Sequence, residues 1–114
     1  MLCDFTALAK LEDPNVVYHM PLGLPNMVGH EAHKQQIIDA WESWSDIKQE
    51  WKYLTGDGNL IVMSYKSSFR ITRGKTGSVF PVGKKVSSDE ILVSRVKKGR
   101  TVEGWANGSF TISD

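Results

Sequence analysis

Along the chain the spacing of apolar residues passes from a helical period to a strand period, dividing a helical front from a β-rich rear. In DFTALAKLED, Phe5, Leu8, Ala9 and Leu11 fall on one side of a helix, and Asp4 is placed to cap its first turn. Asp13-Pro14 is expected to stop that helix, because proline lacks the amide that a continuing turn needs. VVYH then has the β-branched and aromatic residues of a short strand, and PLGLPNMVG, with two prolines and two glycines, reads as a loop. In GHEAHKQQIIDAWESW the residues His30, His33, Ile37, Trp41 and Trp44 share a narrow arc at about 3.6 residues per turn, which predicts a longer helix burying an aromatic stripe.

Beyond Trp44 the pattern belongs to strands. DIKQEWKYLT and NLIVMSYKSSFRI flank Gly56-Asp57-Gly58, and KKVSSDEILVSRV and RTVEGWANGSFTI flank Lys98-Gly99, so two hairpins are expected. Leu60 to Met63 and Ile91 to Val93 leave no polar face, which predicts strands covered on both sides. Helix, strand, longer helix and at least four antiparallel strands make an α+β pattern, with the helices on one face of the sheet. No repeat or linker divides the chain, and residues 1–114 are expected to form a single domain.

Composition narrows the classes. Hydrophobic residues at 40% and charged residues at 24% fit an ordinary globular domain and argue against disorder or a fibrous chain. No apolar run reaches membrane-spanning length, and MLCDFTALAK lacks the basic start of a signal peptide, so no membrane partner and a cytoplasmic setting are expected. Cys3, the sole cysteine, has no internal disulfide partner and is expected to be inert. Residues 66–100 hold ten of the 14 Lys and Arg against Asp89 and Glu90, a local charge of +8. With no aromatic-rich binding motif accompanying the charges, this reads as a solvated face, and no nucleic-acid partner is expected. No His, Cys and carboxylate cluster has metal-ligand spacing and no glycine-rich loop opens a helix after a strand, so neither a metal nor another cofactor is expected.

Four segments in order carry a resemblance: LEDPNVVYHMP before a loop ending in Gly29, GHEAHKQQIIDAW, YLTGDGNLIVMSY, and VGKKVSSDEILVSRVKKGRTVEGW with its Glu-x-Trp ending. Over about residues 5–107 the chain resembles the SnoaL-like branch of the nuclear transport factor 2-like superfamily, which includes ketosteroid isomerases and limonene epoxide hydrolases. The resemblance implies a strongly curved, mainly antiparallel sheet wrapped around helices, a cone with an apolar pocket at its open end and a shortened N-terminal helical region. It also implies a homodimer formed through the sheet.

The resemblance weakens the proton-transfer positions of those relatives. Met20 stands where the isomerases hold their aspartate base, Ile91 or Leu92 where they hold an acidic oxyanion donor, and Ala106 where the cyclases often carry an acid. A thioether or an alkyl group cannot exchange a proton near neutral pH. The pocket is expected to be lined by Tyr18, Met20, His33, Trp41, Met63 and Tyr65. Tyr18 is either a donor to a ligand or, more commonly, a packed aromatic bonded to a backbone acceptor. His33 is either a base near a helix start or a structural histidine bonded to the Pro21 to Met27 loop. His30 is a weaker candidate for chemistry. Of Asp89 and Glu90, alternation sends one inward if the strand already includes them, and a carboxyl in an apolar cone suits acid or base work. Glu103, sharing a face with Trp105, reads as support for basic neighbours.

The first expectation is therefore a domain that binds a small hydrophobic organic molecule. The second is a cofactor-independent isomerase, cyclase or lyase using His33 with Glu90 or Asp89. A third is an oligomeric scaffold.

Overall fold

The computed structural model describes residues 4–73 and 80–114. Cys3 lies outside them, as does Lys75 of the basic segment. The elements are α1 (Phe5–Leu11), β1 (Glu12–His19), β2 (Met27–Val28), α2 (His30–Ser43), β3 (Trp44–Gly56), β4 (Leu60–Ile71), β5 (Lys85–Lys97) and β6 (Arg100–Ser113). The strands form one sheet in the order β2-β1-β6-β5-β4-β3. β1 lies parallel to β6, and the other described pairings are antiparallel. This is the expected α+β arrangement, a curved sheet that does not close on itself.

Local chemistry explains the boundaries. The Asp4 carboxylate accepts the Ala7 amide at 3.0 Å and starts α1. Asp57 accepts the Asn59 and Leu60 amides, both at 2.9 Å, and sets the β3–β4 turn. Lys98 and Gly99, with φ of 54° and 77°, make the left-handed two-residue turn that matches the twist of β5 and β6. Helix α1 ends at Leu11, before Asp13-Pro14, and β1 runs through the proline. The β1–β6 register is irregular between Glu12 and Val17, so Pro14 falls where the ladder is interrupted and its missing amide costs no strand pairing.

Three expectations need correction. Trp44 is the first residue of β3, not the last of the helical stripe, and its ring stacks on Phe69 at 3.7 Å. The α2 stripe is half-buried, because the helix packs mainly on β1 and β2 at one edge of the sheet and meets β3, at the other edge, where the chain runs on from it. Strands β4 and β5 are not covered on both sides: Leu60 is 42% exposed and Ile91 45%.

The apolar core sits at one end of the inner face. Phe69, Ile71 and Val86 are buried there, with Trp44, Ile47, Phe80 and Phe110 packed around them. Each such buried side chain contributes about 2 kcal/mol. Farther along, β5 and β6 approach so closely that a Cβ on Gly108 would lie 2.2 Å from the Asp89 carbonyl oxygen. A glycine at that point lets the two strands bend together and curve the sheet toward the helices.

Candidate functional site

At the other end of the inner face, polar groups converge on one carboxylate. Glu12, only 3% exposed, opens β1 on the same face as the buried Val16. The chain returns to it through β2, whose pairing of Val28 with Val17 sets Gly29 beside Val16, the Gly29 amide donating to the Val16 carbonyl at 2.7 Å. Gly29 has φ 96°, a conformation that a side chain would strain, and from it α2 begins next to Glu12. His30 and His33, three residues apart, face the same way from its first turn.

Glu12 binds both. His30 Nδ1 lies 2.8 Å from Oε1, and His33 Nδ1 lies 2.6 Å from Oε2. The Tyr18 hydroxyl donates to Oε2 as well. Burial disfavours the charge on Glu12, but hydrogen bonds from His33, Tyr18 and His30 outweigh it and hold the carboxyl below its ordinary value. Burial, together with the neighbouring Glu12 charge and hydrogen bond, raises the Tyr18 hydroxyl well above its usual range. The Tyr18 ring lies 4.7 Å from that of His33 and covers Gly104, where an added Cβ would come within 2.6 Å of it. His33 is the most open of the histidine pair, its side chain 21% exposed against 13% for His30.

Register places the other candidates. Tyr18, Gly104, Ser94 and Ile61 form one inward row across β1, β6, β5 and β4. Ala106, Leu92 and Met63 form the next, and Gly108, Glu90, Tyr65 and Trp51 a third. Met20, half-buried, follows the last residue of β1. Glu90 is the inward acid, 8% exposed, and burial raises its carboxyl against the opposing effect of a Ser88 hydrogen bond. Asp89 faces outward and is exposed, so it is separated from Glu90 by the sheet. Trp41 lies apart from the Glu12 cluster, in an open groove with Trp44, Ile47, Gln49 and Trp51. Tyr65 borders that groove, its ring 4.2 Å from Trp51 and its hydroxyl accepting from Gln49 at 2.9 Å.

Two bonding expectations change. The Tyr18 hydroxyl meets a carboxylate, not a backbone acceptor, and His33 binds Glu12, not the Pro21 to Met27 loop. The residue that sequence reasoning missed is Glu12, and with it the part played by His30. Stepping back by twos from Tyr18 and Val16 reaches Glu12, but reading Asp13-Pro14 as a helix stop hid that the strand extends so far.

The outer face carries a separate cluster. His19 Nε2 lies 2.6 Å from Glu103, which also accepts from Arg95 at 2.9 Å, and the His19 ring stacks on Trp105 at 5.3 Å. Glu103 thus supports basic neighbours. Hydrogen bonds from His19 and Arg95 lower its carboxyl. Among the described residues no group of His, Cys, Asp and Glu side chains is arranged to hold a metal ion, and no helix is long and apolar enough to cross a membrane.

Comparison with known proteins accords with this architecture. The family model for SnoaL-like polyketide cyclase matches residues 2–108. IdmH from Streptomyces antibioticus, a candidate polyketide cyclase, superposes with TM-score 0.71 at 21% identity, covering 93% of this chain and 81% of that one. A candidate SnoaL-like polyketide cyclase from Jannaschia sp. CCS1 gives TM-score 0.74 at 13% identity over 92% of this chain and 72% of that one. An LEH-like epoxide hydrolase from M. tuberculosis gives 0.63 at 15% identity over 93% and 71%. No curated protein matches the chain by sequence comparison. A continuous match over nearly the whole length, with the fold those neighbours share, means that the chain belongs to the SnoaL-like polyketide cyclase family.

Proposed function

We propose that the protein is a cofactor-independent proton-transfer enzyme acting on a small, largely apolar carbonyl compound held against the inner face of the sheet. One observation carries this reading: a carboxylate 3% exposed holds the Nδ1 of His33 at 2.6 Å while a second histidine and a tyrosine complete its hydrogen bonding. An Nδ1–H donated to Glu12 fixes the imidazole tautomer and leaves Nε2 as the acceptor. His33 Nε2 takes a proton from a carbon beside the substrate carbonyl, the C–H electron pair moves into an enolate, and the imidazolium is stabilised by the Glu12 charge. Return of the same proton to another carbon completes an isomerisation; alternatively the enolate carbon attacks a second carbonyl, whose π electrons move to its oxygen, and that alkoxide takes the proton back from the imidazolium to complete a ring closure. Tyr18 acts as a positioning residue, because its hydroxyl is committed to Glu12.

The test follows exchange of the protons beside the carbonyl of β-tetralone in D2O by NMR. Exchange accelerated by the protein and lost in His33→Gln supports the reading; exchange at the buffer rate with wild-type protein refutes it. A second reading, a domain that binds such a molecule without changing it, is favoured by the apolar Met20, Leu92 and Ala106 at the proton-transfer positions of relatives. Saturable binding without exchange would select it.

A further inference from the structure

The inner face presents rows of different character. The row through Tyr18 and Gly104 lies beneath the His33–Glu12 cluster. The row of Ala106, Leu92 and Met63 is apolar, and Met20, following His19 opposite Trp105, comes level with it. The row of Gly108, Glu90 and Tyr65 brings polarity back. Gly104 and Gly108 are four residues apart on β6, or about 13 Å at the usual strand rise. The inner face thus has two buried polar stations separated by an apolar floor.

Glu90 has no part in the chemistry at the first station. It is 8% exposed, it stands opposite Gly108, which offers no side chain, and its hydrogen bond runs sideways along its own strand to Ser88. Ser88 is itself engaged across the sheet by Ser67 at 2.6 Å. Among the described residues this carboxyl, kept from water, is hydrogen-bonded by Ser88 and stands opposite Tyr65, and it retains hydrogen-bonding capacity toward the interior. Removing it from water without full compensation costs stability, so a fold that needed only packing there would gain by an apolar side chain.

We infer that Glu90 is the far contact of the ligand: the site takes an elongated, mostly apolar ketone whose acidic C–H lies against His33 and whose other end carries a hydrogen-bond acceptor met by Glu90. Burial favours the protonated carboxyl, which can donate to such an acceptor. The inference rests on the proton-transfer reading for the near end alone; recognition at the far end is independent of whether the bound ketone reacts. It limits substrates to molecules whose two polar ends are on the order of 10 Å apart, given the strand rise and the reach of the side chains.

The experiment compares β-tetralone with its analogue carrying an acetyl group on the far aromatic ring, measuring the Kd of each from tryptophan fluorescence. Wild-type protein is expected to prefer the acetyl compound by about tenfold, the usual worth of one well-made hydrogen bond. The preference should survive in Glu90→Gln, which keeps a donor, and fall to about onefold in Glu90→Leu. Equal affinities in the wild type, an unchanged preference in Glu90→Leu, or no binding of either ketone overturns the inference. Should Glu90→Leu fail to fold, the wild-type complex with a carbon-13-labelled acetyl carbonyl decides: its infrared stretch falls on binding if the contact forms, and an unshifted band overturns it. A tenfold preference without accelerated exchange would uphold the far contact while sinking the proton-transfer reading.

Discussion

Two glutamate–histidine pairs lie on opposite faces of this sheet, each with a contact of 2.6 Å, and they differ in surroundings more than in geometry. Glu12 is 3% exposed and its partners are His33, His30 and Tyr18; the Glu103 side chain is 24% exposed and is shared between His19 and the solvent-facing Arg95. Water screens the outer pair, so it adjusts the surface and little else. Beneath α2 the inner carboxylate has lost its solvent and, among the described residues, is held by hydrogen bonds from His33, His30 and Tyr18, each of which it orients in turn. Separation alone does not mark a site; desolvation with complete pairing does.

The comparison can be broken most sharply at the inner pair. Glu12→Gln and His33→Gln are each expected to slow ketone exchange by about a hundredfold or more, the usual share of a positioned acid–base group. Glu12→Leu should cost about 3 kcal/mol in urea unfolding, since it strands two imidazoles and a phenol without their acceptor. Gly104→Ala should lower stability by about 1–3 kcal/mol and displace Tyr18, because its new methyl would come within 2.6 Å of that ring.

The two buried acids should also bend the pH profile of stability in opposite senses. Glu12 titrates below its ordinary 4.5, so its contribution is complete above that value and lost as pH falls through the folded value. Glu90 titrates above 4.5, so the folded state is favoured below that pH and loses ground as pH rises through the raised value. Denaturation midpoints across the acid range should therefore lose their low-pH decline in Glu12→Gln and their high-pH decline in Glu90→Gln. Smallest of all, Glu103→Gln should leave ketone exchange within about twofold of wild type. A large loss there would erase the distinction between the faces.

Much of the fold was legible because its signals are local. The Gly56-Asp57-Gly58 and Lys98-Gly99 turns announce both hairpins, and alternation in β5 sends Glu90 in and Asp89 out once the strand is known to begin at Lys85. Trp44 deceived because it continues the helical arc while also beginning a strand alternation, and stacking on Phe69 decides between them. The site was half legible. Tyr18 and His33 are chemically conspicuous, but their common partner is a glutamate beside a proline, brought to them by an interrupted β1–β6 ladder. No local period encodes the register of β1, because the strand that it pairs with in parallel is more than eighty residues away.

That separation has a bearing on how the molecule is made. β6, the neighbour that fixes β1, is synthesised after the other five strands, so during translation the nascent β1 waits without its parallel partner. Long-range parallel pairing of this kind is slow to nucleate. The sheet is thus joined into one piece only when the last strand takes its place between the first and the fifth.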